Sequence, residues 1–492
     1  MMSLILFLVS LPIILILYFQ TQKPKNGNKL IPPGPPGLPL IGNLHQIDGQ
    51  FQYKYFQRLS KQYGPVMFLN LGIRRFIVIS TAEAVKEITK SNDAIFSSRP
   101  SFVAAKRLSY NHLDIGFSSY NDTWREMRKI SNLHLFSSKQ VQSFHPIFRD
   151  EVSKMMEKIA RDASSSTVVN FTDTTMSLLT NIFSRIAFGK IYGGDRGYGK
   201  DRFMDLLHET RPILGGFFME DYFPWLRWID RLSGMTAKLD KNFHNLDLFY
   251  QELIEEHMNP NRPKSMDGDF IDIMLRIKEN GSSSFAPTIN HIKGVLMDLV
   301  TGGSDTTAIA LEWTMTALME KPLVMKKLQE EIRRFGGKKD MINKQDIEKL
   351  SYLRAVVKEG LRMYPPAPLL VPRETTNKCS VNGYEIEGGS MVFINAWAIG
   401  RDPATWENAD EFMPERFLEG GQNPELITFG FGRRGCPGMG MAIAELELAL
   451  ANLVYKFNWE LPKEEDIDLE CKPRATLLRK KNALRLIAKV VM

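Results

Sequence analysis

The residues of this chain best suited to unusual chemistry lie together in Phe429-Gly430-Phe431-Gly432-Arg433-Arg434-Gly435-Cys436-Pro437-Gly438. Three glycines allow a tight loop that turns backbone N–H groups towards the Cys436 sulfur, and the helix predicted from Met439 offers the positive end of its dipole. That setting favours a low-pKa thiolate. A soft, anionic sulfur is the axial ligand that pushes electron density onto haem iron and favours O–O cleavage. Cys379 and Cys471 stand in no such setting and read as small buried hydrophobes.

Gly430, Gly432 and Gly435 also spell G-x-G-x-x-G, the spacing of a dinucleotide-binding loop. Such a loop closes a first strand and opens a series of alternating strands and helices, whereas here one long helix and a short tail follow. Two arginines and a cysteine also stand where small, backbone-exposing residues would be wanted. Phe429, Gly432, Arg434, Cys436 and Gly438 at these spacings resemble instead the haem-binding loop of the cytochrome P450 superfamily. The resemblance implies haem b (iron protoporphyrin IX) as cofactor, Cys436 as the metal ligand, and Phe429 and Arg434 as haem-binding residues.

Four further stretches, in the expected order, extend the resemblance over almost the whole chain. Trp124 and Arg128, one helical turn apart, would alone be a cation over an aromatic ring; the resemblance implies that they bind a haem propionate. The apolar helix from about Thr288 to Glu320 is interrupted by Gly302-Gly303-Ser304-Asp305-Thr306-Thr307 and stopped before Pro322. Its adjacent glycines cost roughly 1 kcal/mol each relative to alanine. A groove admitting O₂ and water would compensate, and the alternative is a hydroxyl-rich turn bonding back to its own carbonyls. By resemblance Thr306 and Asp305 are catalytic, Thr306 steadying the iron-bound oxygen species and Asp305 relaying protons to it. Glu359 and Arg362 would in isolation form a solvated ion pair; their family counterparts are buried and joined by the arginine of Pro414-Glu415-Arg416-Phe417. That implies a structural lock of Glu359, Arg362 and Arg416 on the cysteine loop, with Gly360 departing from the better helix former usual there. Tyr364 to Arg373 is similar to the segment that forms a substrate-facing wall, here Ala367, Leu369, Leu370 and Val371, and then adds Arg373 as another propionate partner.

These residues need a scaffold to position them. Helical periodicity dominates, for example over 82–90, 124–135, 270–277, 352–363 and 439–457, while strand-like alternation is confined to 66–70, 76–80 and 390–395. The expected fold is mainly α with a small β-sheet region, a single domain over residues 42–492 despite a length of 492 that would allow more. Before it, residues 1–22 carry no charge and read as a transmembrane signal anchor. Residues 23–41 form a basic, proline-rich hinge with Lys23, Lys25 and Lys29 on its membrane side. A cleaved signal peptide would put its charge before the apolar stretch rather than after it. This orientation leaves the domain in the cytosol, where the sequons at Asn121 and Asn170 stay unmodified.

The net charge of +7 is modest and spread out, without basic runs interleaved by aromatics, which excludes nucleic-acid binding as a main role. Three dispersed cysteines exclude a disulfide framework, and no cluster has zinc or non-haem iron spacing. The hinge, Phe96-Ser97-Ser98-Arg99-Pro100, Pro414-Glu415-Arg416-Phe417 and the Cys436 loop look like a plant microsomal, A-type member of the superfamily. The resemblance implies a membrane-bound monooxygenase of the endoplasmic reticulum. It would use O₂ to oxidise a small, mostly apolar substrate in specialised metabolism: a terpenoid, alkaloid, phenolic or amino-acid-derived compound. With no flavin or nicotinamide domain in the chain, electrons from NADPH would come through a separate flavoprotein reductase, and Arg433, Lys129 and Lys139 are expected on its docking face. Substrate contacts are expected within 100–114, 217–228, 367–371 and 473–477 and from Val300 and Thr301, with Arg474 meeting a polar substrate end. A haem-thiolate isomerase or dehydratase needing no O₂ usually lacks the Asp305-Thr306 pair, and a haem sensor has no need of a proton relay.

Overall fold

The computed structural model describes residues 31–190, 200–262, 268–280, 285–418, 426–463 and 465–491. The expected anchor over 1–22 lies outside the described residues, and no helix among those described is long and apolar enough to cross a membrane.

Among the described residues the long helices in the first half are α1 (Gln52–Tyr63), α2 (Asp122–Ile130), α3 (Ser138–Ser164), α4 (Phe171–Phe188), α5 (Lys200–Leu214) and α6 (Met235–Met258). The second half supplies α7 (Phe270–Asn280), α8 (Ile289–Gly302), α9 (Ser304–Glu320), α10 (Pro322–Gly336), α11 (Ser351–Met363) and α12 (Met439–Lys456). The fold is helix-rich, as expected. Local chemistry sets many of the starts. The Thr288 side chain accepts from His291 N while the His291 ring reaches back to Thr288 N, a reciprocal cap that begins α8. Both sequon asparagines also serve as caps: Asn121 accepts from Trp124 N at 2.8 Å to begin α2, and Asn170 accepts from Asp173 N to begin α4.

The helix expected over 124–135 is continuous only to Ile130. The next turn widens, with Phe136 N donating to Ser131 O, five residues back. Further on, α9 is apolar on nearly every side and packs against α4, α10, α11 and α12. It is therefore the central rod of the helical body.

The strands are β1 (Val66–Leu71), β2 (Arg74–Ile79), β3 (Val169–Asn170), β4 (Arg373–Glu374), β5 (Cys379–Val381), β6 (Tyr384–Ile386), β7 (Met391–Ile394), β8 (Phe457–Glu460) and β9 (Arg485–Val490). They form sheets ordered β1-β2-β7-β4, β3-β9-β8 and β5-β6. In the largest, β1 and β2 are antiparallel with Val66 opposite Ile79, and β7 joins β2 in parallel. At its far edge β4 pairs with β7 through Arg373 opposite Val392, so a short strand holds Arg373 in place.

Candidate active site

The cysteine loop is folded as its glycines suggest. Gly430 and Gly432 have φ of +72° and +58°, and a Cβ at Gly432 would strike the Asp93 carboxylate. That carboxylate accepts from Arg433 N at 3.2 Å and from its guanidinium at 2.8 Å. Cys436 N closes the loop on Phe429 O at 2.7 Å, while Thr428 Oγ1 ties its approach to Leu361 O on α11 at 2.9 Å. The expected low-pKa thiol is not what the protein alone provides. Burial pushes the Cys436 thiol up from its ordinary value, against the opposing pull of the Gly438 N–H and Arg128. A metal bond to the sulfur favours its thiolate form.

Above the loop, four guanidiniums converge. Arg434 donates to Ser97 O (2.6 Å), Ile115 O (3.2 Å) and Ser118 O (2.5 Å), and lies 4.0 Å over the Trp124 ring. Arg373 donates to Phe431 O at 2.8 Å and covers the Phe431 ring at 3.8 Å. Arg128 donates to Gly435 O. Arg99, a residue sequence reading placed in a motif without a role, donates to Gly116 O (3.0 Å), Val371 O (2.7 Å) and Pro372 O (2.7 Å). Burial pushes Arg434 down to about 9 and Arg373 to about 10. It also lowers Arg99, with Arg434 and Arg373 adding repulsion. Among the described residues no carboxylate lies within 4 Å of Arg99, Arg128 or Arg434, and Arg373 has only Asp93, at 4.0 Å. Like charges buried together on neutral carbonyls call for an anion. The two carboxylates of haem b fit that need.

Along α8 and α9, Asp298, Gly302 and Thr306 recur every four residues and, with Thr301 and Gly303 beside them, keep some accessibility in a largely buried rod, so they share one less-covered strip. The two glycines serve different ends. A Cβ at Gly302 would meet nothing within 4 Å, whereas one at Gly303 would collide with the Phe183 ring of α4. The groove reading therefore applies to Gly302 alone. Thr306 Oγ1 donates to Gly302 O at 2.7 Å. Asp305 faces away from that strip and is gripped by Arg211 of α5 and by Arg479.

The structural trio is assembled and buried. Arg362 makes paired bonds to Glu359 at 2.7 and 2.8 Å, and Arg416 reaches the same carboxylate at 3.2 Å. Arg362 also donates to Gly400 O, Ala409 O and Glu411 O, and Arg416 to Glu407 O. The lock thus grips residues 400–416, and Thr428 links it onward to the cysteine loop. Gly360 has a packing reason: a Cβ there would run into Thr314 Oγ1 of α9.

The family model for cytochrome P450 matches residues 32–487. The chain is a cytochrome P450. It is 46% identical to 6,7,8-trihydroxycoumarin synthase of Pastinaca sativa, covering 94% of this chain and 93% of that protein. It is 45% identical to 5-OH-xanthotoxin synthase of the same plant (98% and 97%) and 42% identical to strychnine-11-hydroxylase of Strychnos nux-vomica (94% and 91%). This P450 is accordingly an oxidoreductase, a monooxygenase of plant specialised metabolism. Its family uses haem b, with NADPH serving indirectly through a reductase.

In this P450 the expected substrate wall is half-buried at Ala367, Leu369 and Leu370, and Val371 is 39% exposed. Leu370 holds a left-handed φ of +53°, unusual for a branched side chain. Thr301 is half-buried, its hydroxyl bonded to Met297 O at 2.8 Å. Arg474 is exposed, and its backbone N donates to Gln50 O at 2.9 Å. Among the described residues one group of potential metal ligands gathers outside this site, His257, Asp269 and Asp272, and Arg262 already pairs with both acids.

Proposed function

We propose that Cys436 ligates the iron of haem b, and that Arg99, Arg128, Arg373 and Arg434 bind its two propionates. The observation carrying this reading is the buried arginine cluster, whose nearest carboxylate among the described residues is Asp93 at 4.0 Å from Arg373, beside an accessible cysteine on a glycine-built loop. Bound there, haem supplies the oxygen-activating chemistry of the family. The chain's own residues then have separate tasks. Phe429 and Trp124 would help hold the ring, and Glu359, Arg362 and Arg416 keep the preceding segment rigid. Gly302 leaves room beside the junction of α8 and α9. Thr306 Oγ1 donates its proton to Gly302 O and could turn it into that room, regaining one from bulk water, while Asp305, held by Arg211 and Arg479, is assigned the relay from the solvent side.

The substrate is inferred to be an aromatic or heteroaromatic plant metabolite, oxidised on a ring carbon. Support comes from relatives named for hydroxycoumarin, hydroxyxanthotoxin and strychnine hydroxylation. The apolar wall of Ala367, Leu369, Leu370 and Val371 suits such a ring.

The partner is inferred to be an NADPH-dependent flavoprotein reductase, docking near Lys129, Lys139 and Arg433. The enzyme is inferred to be held at the endoplasmic reticulum by a single pass over 1–22, with its domain in the cytosol. Exposed Leu40, Ile73, Trp225 and Trp228 support a membrane-facing side. Two bonds bring their segments together: Gly72 N to Ile41 O, and Ile73 N to Tyr222 O.

Membranes containing the chain, a reductase and NADPH, supplied with coumarins, furanocoumarins and indole alkaloids, should consume O₂. One oxygen atom from labelled O₂ should appear in the product. A product formed without O₂ or NADPH would contradict the reading and favour an isomerase or dehydratase.

A further inference from the structure

Between Asp114 and Phe117 the chain passes against α8, and two successive peptide groups are held from both ends. The Gly116 N–H donates to Asp298 Oδ2 at 3.1 Å, and the carbonyl of the same peptide, Ile115 O, accepts from Arg434 at 3.2 Å and the Trp124 indole at 3.0 Å. In the next peptide, Phe117 N–H donates to Asp114 Oδ2 at 2.7 Å and Gly116 O accepts from Arg99 at 3.0 Å. Each acid is thus joined through a single peptide to an arginine of the cluster. Ile115 N–H adds a bond to Asp298 Oδ2 at 2.7 Å.

The acids also meet each other. A Cβ on Gly116 would lie 2.5 Å from Asp298 Oδ1 and 3.6 Å from Asp114 Oδ2, so the two carboxylates are close neighbours, and buried carboxylates that close do not both ionise. Asp114 Oδ1 is buried and accepts from no protein donor among the described residues. A proton on Asp298 supplies one. The packing is close, because a Cβ on Gly116 would press on Asp298 Oδ1.

We infer that Asp298 and Asp114 are positioning residues for the haem edge, sharing one proton and one negative charge and aiming Arg434 and Arg99 through the peptides from Ile115 to Phe117. This rests on the haem-edge role proposed above for the arginines. The single charge answers the arginine repulsion without drawing the guanidiniums off their carbonyls. Polarised peptides carry that influence, since an N–H bonded to a carboxylate strengthens its own carbonyl as an acceptor.

The titration follows from the surroundings. Burial pushes Asp114 up to about 6, opposed by the neighbouring Asp298, by the Phe117 N–H and by Arg434. Asp298 is deep in the fold although part of it remains accessible. Burial raises it well above the usual carboxylate range, and Asp114 raises it further. The other charged or titratable groups facing the pair are Arg99, Arg128 and, from α6, Tyr250. Below about 6 the pair loses its charge. As pH climbs through the raised Asp298 value, the shared proton is lost and the carboxylates repel. Support for the arginines is therefore greatest between these limits.

The test is the rate at which the holoenzyme yields haem to excess apomyoglobin, followed across pH for the full chain. Wild type should release haem several-fold faster at the alkaline end than near neutrality. Asp298→Asn imitates the protonated acid, with its oxygen still accepting and its amide donating, and should stay flat there. Asp114→Asn should release haem faster than wild type at neutral pH and lose the acid-side inflection. An alkaline rise in Asp298→Asn equal to that of wild type, or unchanged release from Asp114→Asn, would overturn the inference while Arg434→Leu still sheds haem quickly. If Arg434→Leu retains haem like wild type, the haem-edge reading falls, and this inference with it.

Discussion

Glu359 and Arg362 are both fully buried, so the energetic question at the residue scale is what each would leave behind. Removing the carboxylate strands two guanidiniums, and breaking such a buried pair costs about 3–5 kcal/mol. Glu359→Ala should therefore unfold at markedly lower denaturant and release haem more readily. Unchanged stability would show that the carbonyls of residues 400–411 suffice alone. Cysteine and arginine types at family spacing made this network and the Cys436 loop legible in the sequence. Arg99, Asp114 and Asp298 were not legible as a group. Their partners are backbone groups and residues remote in sequence, such as Asp298 with Ile115 and Arg99 with Val371, and no local spacing encodes those meetings.

At the element scale, long helices and the strands of the main sheet were readable because periodicity and caps are local, as at Thr288 and Pro322. The reasons for individual glycines were not, because they depend on which helix lies opposite. Gly360 meets Thr314, Gly303 meets Phe183, and Gly302 meets open space. Gly360→Ala gains roughly 1 kcal/mol in helix propensity but overpacks the contact between α11 and α9, which costs about 1–3 kcal/mol. It should be net destabilising in a thermal melt, and Thr314→Ala in the same chain should restore most of the loss. A stabilised single variant would refute the close approach. For the other pair, Gly303→Ala should lower thermal stability. Gly302→Ala should keep it and instead alter the spectral response to bound ligands.

At the scale of the whole molecule, the net charge of +7 matters through where it is left unpaired. Arg433 is already matched by Asp93 at 2.8 Å, and Lys129 is only loosely paired with Glu126 at 3.9 Å. Charge reversal at Lys129 and Lys139 together should slow the first electron transfer from the reductase at low salt. The deficit should shrink as salt screens the encounter. Arg433→Ala should have the smaller effect, and equal rates in all variants would remove this face from the docking account. As an enzyme, this P450 is proposed to hold its iron through the Cys436 thiolate. The reduced holoenzyme under carbon monoxide should give the absorption band of thiolate-ligated haem and lose it in Cys436→Ser. A band of the histidine-ligated type in the wild-type protein would contradict the account at its centre.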